Sequence, residues 1–297
     1  MQRLIRASAI YFAILLLAGC AGSVSSPVAL KIEVEDSYRV PKQIRYSFTL
    51  SNTTGNLLEN TKFWTYLPVP QTSHQKVKRI VANFPYQEKR DELGNNSIYF
   101  EFKDIPPYGT KIVSITADLM MSEHPATMPV VDRARFLSRE PFIETDNARI
   151  TALAKQLQGE SAAIMVQKDY EWVAQNIKSE TYIAEDRGAA YAIENRKGDC
   201  TEFSYLLTAL YRAQQIPARA IGGYAFNGNG VMKASDYHNW TEFYLNGVWH
   251  IADAQKGAFV EKQTDYVAMR IIATGGAAAV ASQRFSYAGE GLRVEMN

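Results

Sequence analysis

The sequence predicts an all-β sandwich followed by an α+β domain, and two periodicities and one turn support this prediction. Hydrophobic residues occupy alternate positions in several runs between about residues 28 and 125, which is typical of antiparallel strands. From about residue 146 the hydrophobic residues recur with the period of a helix. Strand-like runs joined by an Asn-Gly turn follow those helices. We therefore expect a β-sandwich at residues 28–125, a linker at 126–145 and an α+β domain at 146–297.

The first nineteen residues have the pattern of a signal peptide. A short basic start with Arg3 and Arg6 precedes an apolar run that is too short to span a bilayer comfortably. The run ends in the tetrapeptide LAGC at residues 17–20, which resembles the bacterial lipobox, whose cysteine is acylated and becomes the new N-terminus. The alternative is an ordinary cleavage site beside a chance cysteine. We expect Cys20 to carry a lipid.

A lipid at Cys20 would anchor the protein to a membrane, because two acyl chains on one cysteine hold stably where one chain binds only marginally. Ala21 follows the cysteine, and similarity to known bacterial lipoproteins that lack aspartate there indicates delivery to the outer membrane. The Ser-rich residues 20–27 would form a flexible tether. We therefore expect a protein of the bacterial cell envelope that faces the periplasm.

The charge balance excludes nucleic-acid binding on electrostatic grounds. Residues 1–19 include two of the 32 basic residues and none of the 31 acidic ones, so the 278 residues from Cys20 onward have a formal charge of −1. No basic excess is present to neutralise phosphates. The remaining length is typical of about two domains. The sequence does not indicate an oligomeric state.

The region before residue 125 predicts strands and contains no concentration of catalytic residue types. Runs of alternating hydrophobic residues are separated by turn-rich segments at residues 51–56 and 104–109. We interpret this region as an immunoglobulin-like accessory domain that positions the second domain or binds a partner. His74 and His124 are isolated in it, and we expect both to be solvated surface residues. The alternating positions are Ile44, Tyr46, Phe48 and Leu50, then Ile98, Phe100 and Phe102.

The second region predicts helices, of which the last begins at a cysteine. Ser161 is a plausible N-cap for one of them. A later segment has hydrophobic residues at i, i+3, i+4, i+7 and i+8, which predicts an amphipathic helix. Gly198 and Asp199 come directly before it and are typical of helix starts. The hydrophobic positions of this stripe are Phe203, Leu206, Leu207, Leu210 and Tyr211.

Cys200 therefore lies in the first turn of this helix. If Cys20 carries lipid, Cys200 has no partner for an internal disulfide. The free N–H groups and the positive end of the helix dipole would stabilise a thiolate, lower the pKa of the thiol and hold an oxyanion. The other interpretation is a small, buried and inert cysteine. This segment alone does not decide between the two.

An Asn-Gly turn predicts a hairpin that places a histidine beside an aspartate. Asn246-Gly247 lies between two strand-like runs, and a two-residue loop sets the pairing of the strands. In that register His238 and Asp253 share one face of the sheet as diagonal neighbours. His250 points to the opposite face, and we expect it to be structural. Glu242 shares the face of His238 but lies opposite an isoleucine, so we assign it at most a supporting role.

An activated cysteine needs a base, and the base needs a group that orients it. Cys200, His238 and Asp253 are the three residue types required. Together they predict a Cys-His-Asp catalytic site.

Three blocks of residues carry a resemblance to the transglutaminase-like superfamily. They are Gly-Asp-Cys at 198–200 with its helix, Ile-Pro-Ala-Arg with Gly-Gly-Tyr at 216–224, and His-Asn-Trp at 238–240 with the closing Asp253. The resemblance covers about residues 146–260 and implies a papain-related α+β core. It implies Cys200 as nucleophile, His238 as general base and then acid, and Asp253 as the orienting carboxylate. One departure is Gln215, where the family commonly has glycine.

The resemblance implies acyl transfer through a thioester. We expect a cell-envelope cysteine protease or amidase, or a transglutaminase-like acyltransferase, that acts on peptide or amide bonds of a protein or peptide substrate. Relatives often complete the oxyanion site with an upstream side chain, for which Tyr182 and Tyr191 are both candidates. We expect no cofactor and no metal, because nearby soft ligands are too few for a metal site. The alternative is a catalytically silent domain that serves binding or assembly.

Overall fold

The computed structural model describes residues 37–273 and 284–297. The predicted signal peptide, the lipid site at Cys20, the tether and the start of the predicted sandwich lie outside these residues. Across the described ranges, no helix combines the length and the apolar character needed to cross a membrane.

The elements follow the predicted order, with strands first and helices after them. Four α-helices are α1 (Ala148–Gln156), α2 (Ala162–Asn176), α3 (Gly188–Asn195) and α4 (Cys200–Ala213). The strands before the helices are β1 (Tyr38–Asn52), β2 (Leu58–Tyr66), β3 (Gln75–Ala82), β4 (Gln87–Arg90), β5 (Asn96–Ile105) and β6 (Thr110–Ser122). The later strands are β7 (Lys178–Ser179), β8 (Lys197–Gly198), β9 (Ala218–Ala225), β10 (Gly230–Val231), β11 (Tyr237–Leu245), β12 (Val248–Asp253), β13 (Ala258–Phe259), β14 (Tyr266–Ile271), β15 (Phe285–Ala288) and β16 (Leu292–Met296).

The first region forms two sheets that enclose one hydrophobic core. One sheet has the order β10-β1-β6-β3, with β16 also paired to β1, and the other has the order β15-β2-β5-β4. Every alternating hydrophobic residue predicted for β1 and β5 is buried in this core. The period of two therefore marks the inward face of each strand, as a sandwich requires.

The last two strands of the chain belong to this sandwich. β15 pairs with β2, and β16 pairs with β1 between Phe48 and Asn52. β10, from the second region, pairs with β1 at Ile44 and Arg45. These short strands cover backbone edges that would otherwise be unpaired. The prediction that residues 146–297 form one domain therefore differs from the structure, in which both ends of the chain contribute to the sandwich.

The second region is built around α4, which packs against β11 and β9. The sheet has the order β13-β12-β11-β9-β14, and α1, α2 and α3 surround α4. The predicted hydrophobic stripe of α4 is buried, but residues 201–212 are buried on every face of the helix. The predicted helix and its hydrophobic stripe are confirmed, but the polar face is also buried. Polar groups of the helix form hydrogen bonds inside the protein. For example, the Thr241 hydroxyl on β11 donates to the carbonyl of Ser204 over 2.9 Å.

The two regions are packed as one compact unit from residue 36 to residue 297. The backbone N–H of Val69 donates to the carbonyl of Ala268 on β14, over 2.9 Å. The side chain of Asn95 bonds both backbone groups of Ile271 at the end of the same strand. The edge strand of the α+β core is thus covered by loops of the sandwich.

The predicted linker at 126–145 is docked onto the core. It contains a short 3-10 helix at Arg135–Leu137. The buried guanidinium of Arg212 on α4 donates to the carbonyl of Ser138 and to the carboxylate of Glu140. These contacts hold the segment against the base of α4.

His74 is buried at the junction of the two regions, so its prediction as a surface residue is wrong. The preceding Ser73 accepts a hydrogen bond from the backbone N–H of Trp249, which draws the loop into the core. Within the described residues, neither ring nitrogen of His74 has a hydrogen-bond partner. Burial lowers the pKa of His74 to about 4, so the ring is neutral near pH 7. His124 is exposed as predicted.

Candidate active site

The start of α4 is fixed by a reciprocal cap around Cys200. The carboxylate of Asp199 accepts from the backbone N–H of Thr201, and the carboxylate of Glu202 accepts from the backbone N–H of Asp199. This capping box makes Cys200 the first residue of the helix, which agrees with its predicted place in the first turn. A Cβ at position 198 would lie 2.4 Å from the Cβ of Glu202, so glycine is needed for Glu202 to fold back. The sequence Gly-Asp-Cys is therefore explained by local geometry.

The electrostatic setting of the Cys200 thiol differs from the expectation. Burial and then the charge of Asp199 raise the pKa of Cys200 to about 11. Hydrogen bonding from the backbone of Asn239 and the side chain of Thr201 lowers the pKa by less. The prediction of a lowered pKa in the free protein is therefore wrong, because the sulfur is buried and the capping Asp199 adds a negative charge beside it. At rest Cys200 is a thiol that needs a base.

The predicted hairpin register is confirmed. Leu245 pairs with Val248 and Glu242 with Ile251 across the Asn246-Gly247 turn. Both turn residues have positive φ, as a two-residue turn of this type requires.

This register brings His238 and Asp253 into contact. Nε2 of His238 lies 2.7 Å from Oδ2 of Asp253, and both side chains are buried. A carboxylate only accepts, so Nε2 carries the proton in this pair and Nδ1 is left to accept one.

Asp253 has two further partners that the sequence reasoning missed. The hydroxyl of Tyr266 on β14 donates to Oδ2 over 2.9 Å, and the backbone N–H of Lys256 donates to Oδ1 over 3.0 Å. The Tyr266 ring packs edge-on against Trp240. These contacts fix the carboxylate that orients His238. Nothing near Tyr266 in the sequence distinguishes it from an ordinary core tyrosine.

Asn239 connects the cysteine helix to the histidine strand. Its side-chain amide donates to the hydroxyl of Thr201 over 3.0 Å, and its backbone acts on the Cys200 thiol. Thr201 directly follows Cys200, and Asn239 directly follows His238. This hydrogen bond therefore holds the backbone at Cys200 close to the backbone at His238. In the described part of the chain, no hydrogen bond joins the thiol to the His238 ring. Such bonds are often long before substrate binds and shorten in the complex.

The Gly-Gly pair on β9 makes room for the site. Gly222 pairs with Asn239, and a Cβ at 222 would lie 2.1 Å from the hydroxyl oxygen of Tyr237. Gly223 pairs with His238, and a Cβ there would lie 2.1 Å from the carbonyl of Val267. Both glycines are thus required by close approach of neighbouring groups.

Glu242 and His250 have structural contacts away from Asp253. Glu242 forms a buried ion pair with Arg219, its partner across the strands, at 2.6 Å. His250 stacks on Phe243, and the pair's ring centroids are 5.1 Å apart. Burial lowers the pKa of His250. The separation of the two histidines onto opposite faces agrees with the predicted register.

Tyr182 and Tyr191 lie in different surroundings upstream of Cys200. Tyr182 is 68% exposed, and the next residue, Ile183, donates its backbone N–H to Asp199. The hydroxyl of Tyr191 accepts from Arg187, whose guanidinium also pairs with Glu202. Neither geometry assigns the oxyanion-stabilising side chain.

Gln215 adopts a left-handed backbone conformation that glycine reaches more easily. Its φ is +63°, directly after the end of α4. This left-handed position is the common way to end a helix and favours glycine. Glutamine in place of the family's common glycine at position 215 therefore leaves the turn after α4 intact.

Comparison with known families agrees with this geometry, because residues 151–254 match the model of the transglutaminase-like superfamily. The chain carries a transglutaminase-like domain. The match spans the cysteine helix, both strands of the hairpin and Asp253, so the transglutaminase-like domain contains all three predicted catalytic residues. No curated protein sequence matches the chain significantly.

Of two solved structures that resemble the chain, the first has a TM-score high enough to show a similar fold and the second does not. A proposed cysteine protease from Cytophaga hutchinsonii is 20% identical, with a TM-score of 0.56, and the match covers 87% of this chain and 92% of that one. The periplasmic domain of TgpA from Pseudomonas aeruginosa is 15% identical, with a TM-score of 0.38, and the match covers 75% of this chain and 89% of that domain. The first similarity extends beyond the transglutaminase-like domain and includes most of the sandwich.

Proposed function

We propose that this protein is a cysteine-dependent hydrolase or acyltransferase that acts on peptide or amide bonds through a thioester. The observation that carries the proposal is the contact of His238 Nε2 with Asp253 Oδ2 at 2.7 Å, beside the helix that begins at Cys200. Family membership and the Cys-His-Asp set both support this chemistry.

Formation of the acyl-enzyme begins from a neutral thiol. Nδ1 of His238 accepts the proton of Cys200 as the sulfur attacks the carbonyl carbon of the substrate. Asp253 stabilises the positive ring that results. His238 then returns the proton to the departing amine as the C–N bond breaks, which leaves the acyl group on the sulfur as a thioester.

The acceptor of the acyl group determines the overall reaction. His238 removes a proton from water or from an amine as that acceptor attacks the thioester. The tetrahedral intermediate collapses, the C–S bond breaks and the thiol regains its proton from His238. Water gives hydrolysis, and an amine gives a new amide bond.

The start of α4 can stabilise the oxyanion in both stages. Across the described residues, the backbone N–H of Cys200 has no hydrogen-bond acceptor, whereas the N–H of Thr201 is used by the cap. A free N–H at the positive end of a helix can donate to the negative oxygen. A side chain such as Tyr182 or Tyr191 would supply a second donor.

We place this activity in the bacterial cell envelope, at the outer membrane and facing the periplasm. The LAGC tetrapeptide at residues 17–20 supports lipid attachment at Cys20, and the apolar run before it supports export. A lipid-anchored enzyme would meet proteins and peptides of the envelope as substrates. We also propose that the sandwich is an immunoglobulin-like domain and that it positions the catalytic domain.

The rival function is a catalytically silent domain that serves binding or assembly. Turnover of a broad peptide library by the wild-type protein, with Cys200→Ala as the control, separates the two. The proposal expects cleavage or amine incorporation that disappears in Cys200→Ala. Equal product from the two proteins, or no product from either under conditions where a control cysteine protease cleaves the library, would contradict it.

A further inference from the structure

An arginine from the C-terminal segment lies at the rim of the proposed active site. Arg284 directly precedes β15, and the hydroxyl of Thr65 on β2 donates to its carbonyl over 3.1 Å. The backbone of Arg284 is therefore attached to the sandwich. Its side chain, however, extends to two tyrosines of the transglutaminase-like domain.

Both tyrosines belong to segments that lie next to Cys200, since the charge of Cys200 acts on the Tyr237 hydroxyl and the residue after Tyr182 is bonded to Asp199. The guanidinium of Arg284 lies over the ring of Tyr237, 4.3 Å from the centroid, and 5.8 Å from the centroid of Tyr182. Tyr237 directly precedes His238, and Tyr182 directly precedes Ile183, whose N–H is bound to Asp199. Arg284 thus spans the gap between the histidine strand and the loop before the cysteine.

Electrostatics agree with this placement. Burial raises the pKa of Tyr237, the charges of Arg270 and then Arg284 oppose this rise, and Cys200 also acts on the hydroxyl. The cation and the nucleophile therefore lie around the same side chain.

Across the described ranges Arg284 has no acidic partner, whereas three other arginines of this domain do. Arg187 pairs with Glu180 and Glu202, and Arg212 and Arg219 each pair with one glutamate. Within the described ranges, Arg284 bonds only the carbonyl of Ala234 and forms no ion pair. The nearby Asp236 accepts instead from the backbone N–H of Lys233.

A stacked guanidinium with free N–H groups is suited to bind a carboxylate. The Tyr237 ring lies against the face of the group, so the in-plane donors other than the Nη1 group bonded to Ala234 stay available. These donors match the two oxygens of a carboxylate in a paired arrangement. The Tyr237 ring already restricts the Arg284 side chain, so less conformational entropy is lost when a carboxylate binds.

We infer that Arg284 is a substrate-binding residue that recognises a carboxylate on the peptide held at Cys200, an inference that rests on the proposed function. The substrate class is then an acidic peptide, with the carboxylate of a side chain or of the C-terminus near the bond attacked. The sandwich contributes to specificity by placing this residue.

Alkylation of Cys200 tests the inference without turnover. Iodoacetate carries a carboxylate and iodoacetamide is its neutral analogue, so the ratio of their rates at Cys200 reports attraction of a carboxylate to the site. We expect Arg284→Gln to lower this ratio by about tenfold, since one charged hydrogen bond contributes about 1.5 kcal/mol or more. Arg284→Lys, which keeps the charge and loses the fork, should lie between the two.

Arg293→Gln is the matched control, because Arg293 lies in the same segment, is exposed and pairs with Glu295. This variant should keep the wild-type ratio. An unchanged ratio in Arg284→Gln, with an unchanged iodoacetamide rate, would overturn the role of Arg284 and leave the proposed function standing. An equal fall in Arg293→Gln would assign the effect to net charge and would also overturn it.

Peptide binding gives a second measurement that does not depend on catalysis. Paired peptides that carry glutamate or glutamine at each position are titrated against Cys200→Ala protein, with and without Arg284→Gln. The inference expects tighter binding of one glutamate peptide and loss of that preference in the double variant. Equal binding of every pair would contradict it even if the enzyme is active. Conversely, a preference that depends on Arg284 in a protein without turnover would support the site and contradict the proposed function.

Discussion

Nε2 of His238 lies 2.7 Å from Oδ2 of Asp253, although the two residues are fifteen positions apart in the chain. Their contact is produced by one two-residue turn, because the turn sets the pairing of β11 and β12. The other histidine of this hairpin, His250, stacks on Phe243 and faces away. The arrangement separates the histidine that we propose as the base from a structural one within a single hairpin.

The first prediction compares these two histidines. His238→Ala should lower kcat by roughly a thousandfold or more, because the proton acceptor is lost while the fold is kept. His250→Ala should keep activity and cost about 1 kcal/mol of unfolding free energy, because a stacked ring is lost. Kinetics and thermal unfolding of both variants check this. Equal loss of activity from two folded variants would mean that the assigned site is wrong.

The second prediction concerns Tyr266 as a positioning residue. Tyr266→Phe removes the hydroxyl that donates to Asp253 and keeps the ring against Trp240. We expect a roughly three- to tenfold lower kcat with little change in KM, because one hydrogen bond contributes about 1 kcal/mol. Asp253→Asn should cost roughly a hundredfold or more, because it favours the wrong tautomer of His238.

Tyr244→Phe is the control for Tyr266→Phe, since the Tyr244 hydroxyl donates to the carbonyl of Met128 away from the site. The pH profile of kcat should also change in Tyr266→Phe and stay constant in the control. Identical kinetics in wild type and Tyr266→Phe would remove the hydroxyl from the catalytic assembly.

The third prediction follows from the raised pKa of Cys200. Since burial and Asp199 raise this pKa to about 11, the iodoacetamide rate should rise about tenfold per pH unit from pH 6 to pH 9, without a plateau. Asp199→Asn keeps a capping oxygen and removes the negative charge, so it should lower the pKa and raise the rate at pH 8 by several-fold. A plateau near neutral pH in the wild type would instead indicate a preformed thiolate–imidazolium pair.

The residues that the sequence predicted correctly share one property, which is that local rules fix their positions. The cap of α4 depends on Asp199 and Glu202, three residues apart, and the pairing of His238 with Asp253 depends on the turn at Asn246-Gly247. Family resemblance added the connection of this hairpin to Cys200. The positions of Cys200, His238 and Asp253 could therefore be predicted without a structure.

The features that the sequence did not predict depend on contacts between segments that are far apart in the chain. Tyr266 reaches Asp253 because β14 pairs with β9, and no turn connects those strands. His74 is buried because a sandwich loop docks on β12. The raised pKa of Cys200 depends on how much of the domain covers the sulfur. None of these follows from periodicity, because periodicity describes one element at a time.

The fourth prediction concerns a buried carboxyl group outside the site. Asp169 on α2 is fully buried against the side-chain amide of Gln214, and burial raises its pKa to about 8. The folded state therefore holds a proton that the unfolded state releases above about pH 4. Stability from this group is complete below about pH 4 and is lost as the pH rises toward about 8, by on the order of 1 kcal/mol per unit.

Asp169→Asn should remove this loss and raise the unfolding free energy at pH 8 relative to wild type. Glu171→Gln, an exposed acid on the same helix, is the control and should leave the pH profile unchanged. Urea unfolding from pH 4 to pH 9 provides the measurement. The same slope in wild type and Asp169→Asn would show that another group is responsible.

The most direct test of the account is capture of the acyl-enzyme on Cys200. Wild-type protein is mixed with a peptide that it turns over, quenched in acid and digested with trypsin. Mass spectrometry then follows the fragment of residues 198–212, which begins after Lys197 and ends at Arg212. The account predicts a mass increase equal to the acyl part of the peptide on this fragment, which hydroxylamine removes, and no increase in His238→Ala or Cys200→Ala. Two results would contradict it. One is Cys200-dependent turnover with a burst of the amine product, which shows slow deacylation, but no adduct on this fragment. The other is an adduct of equal amount in Cys200→Ala.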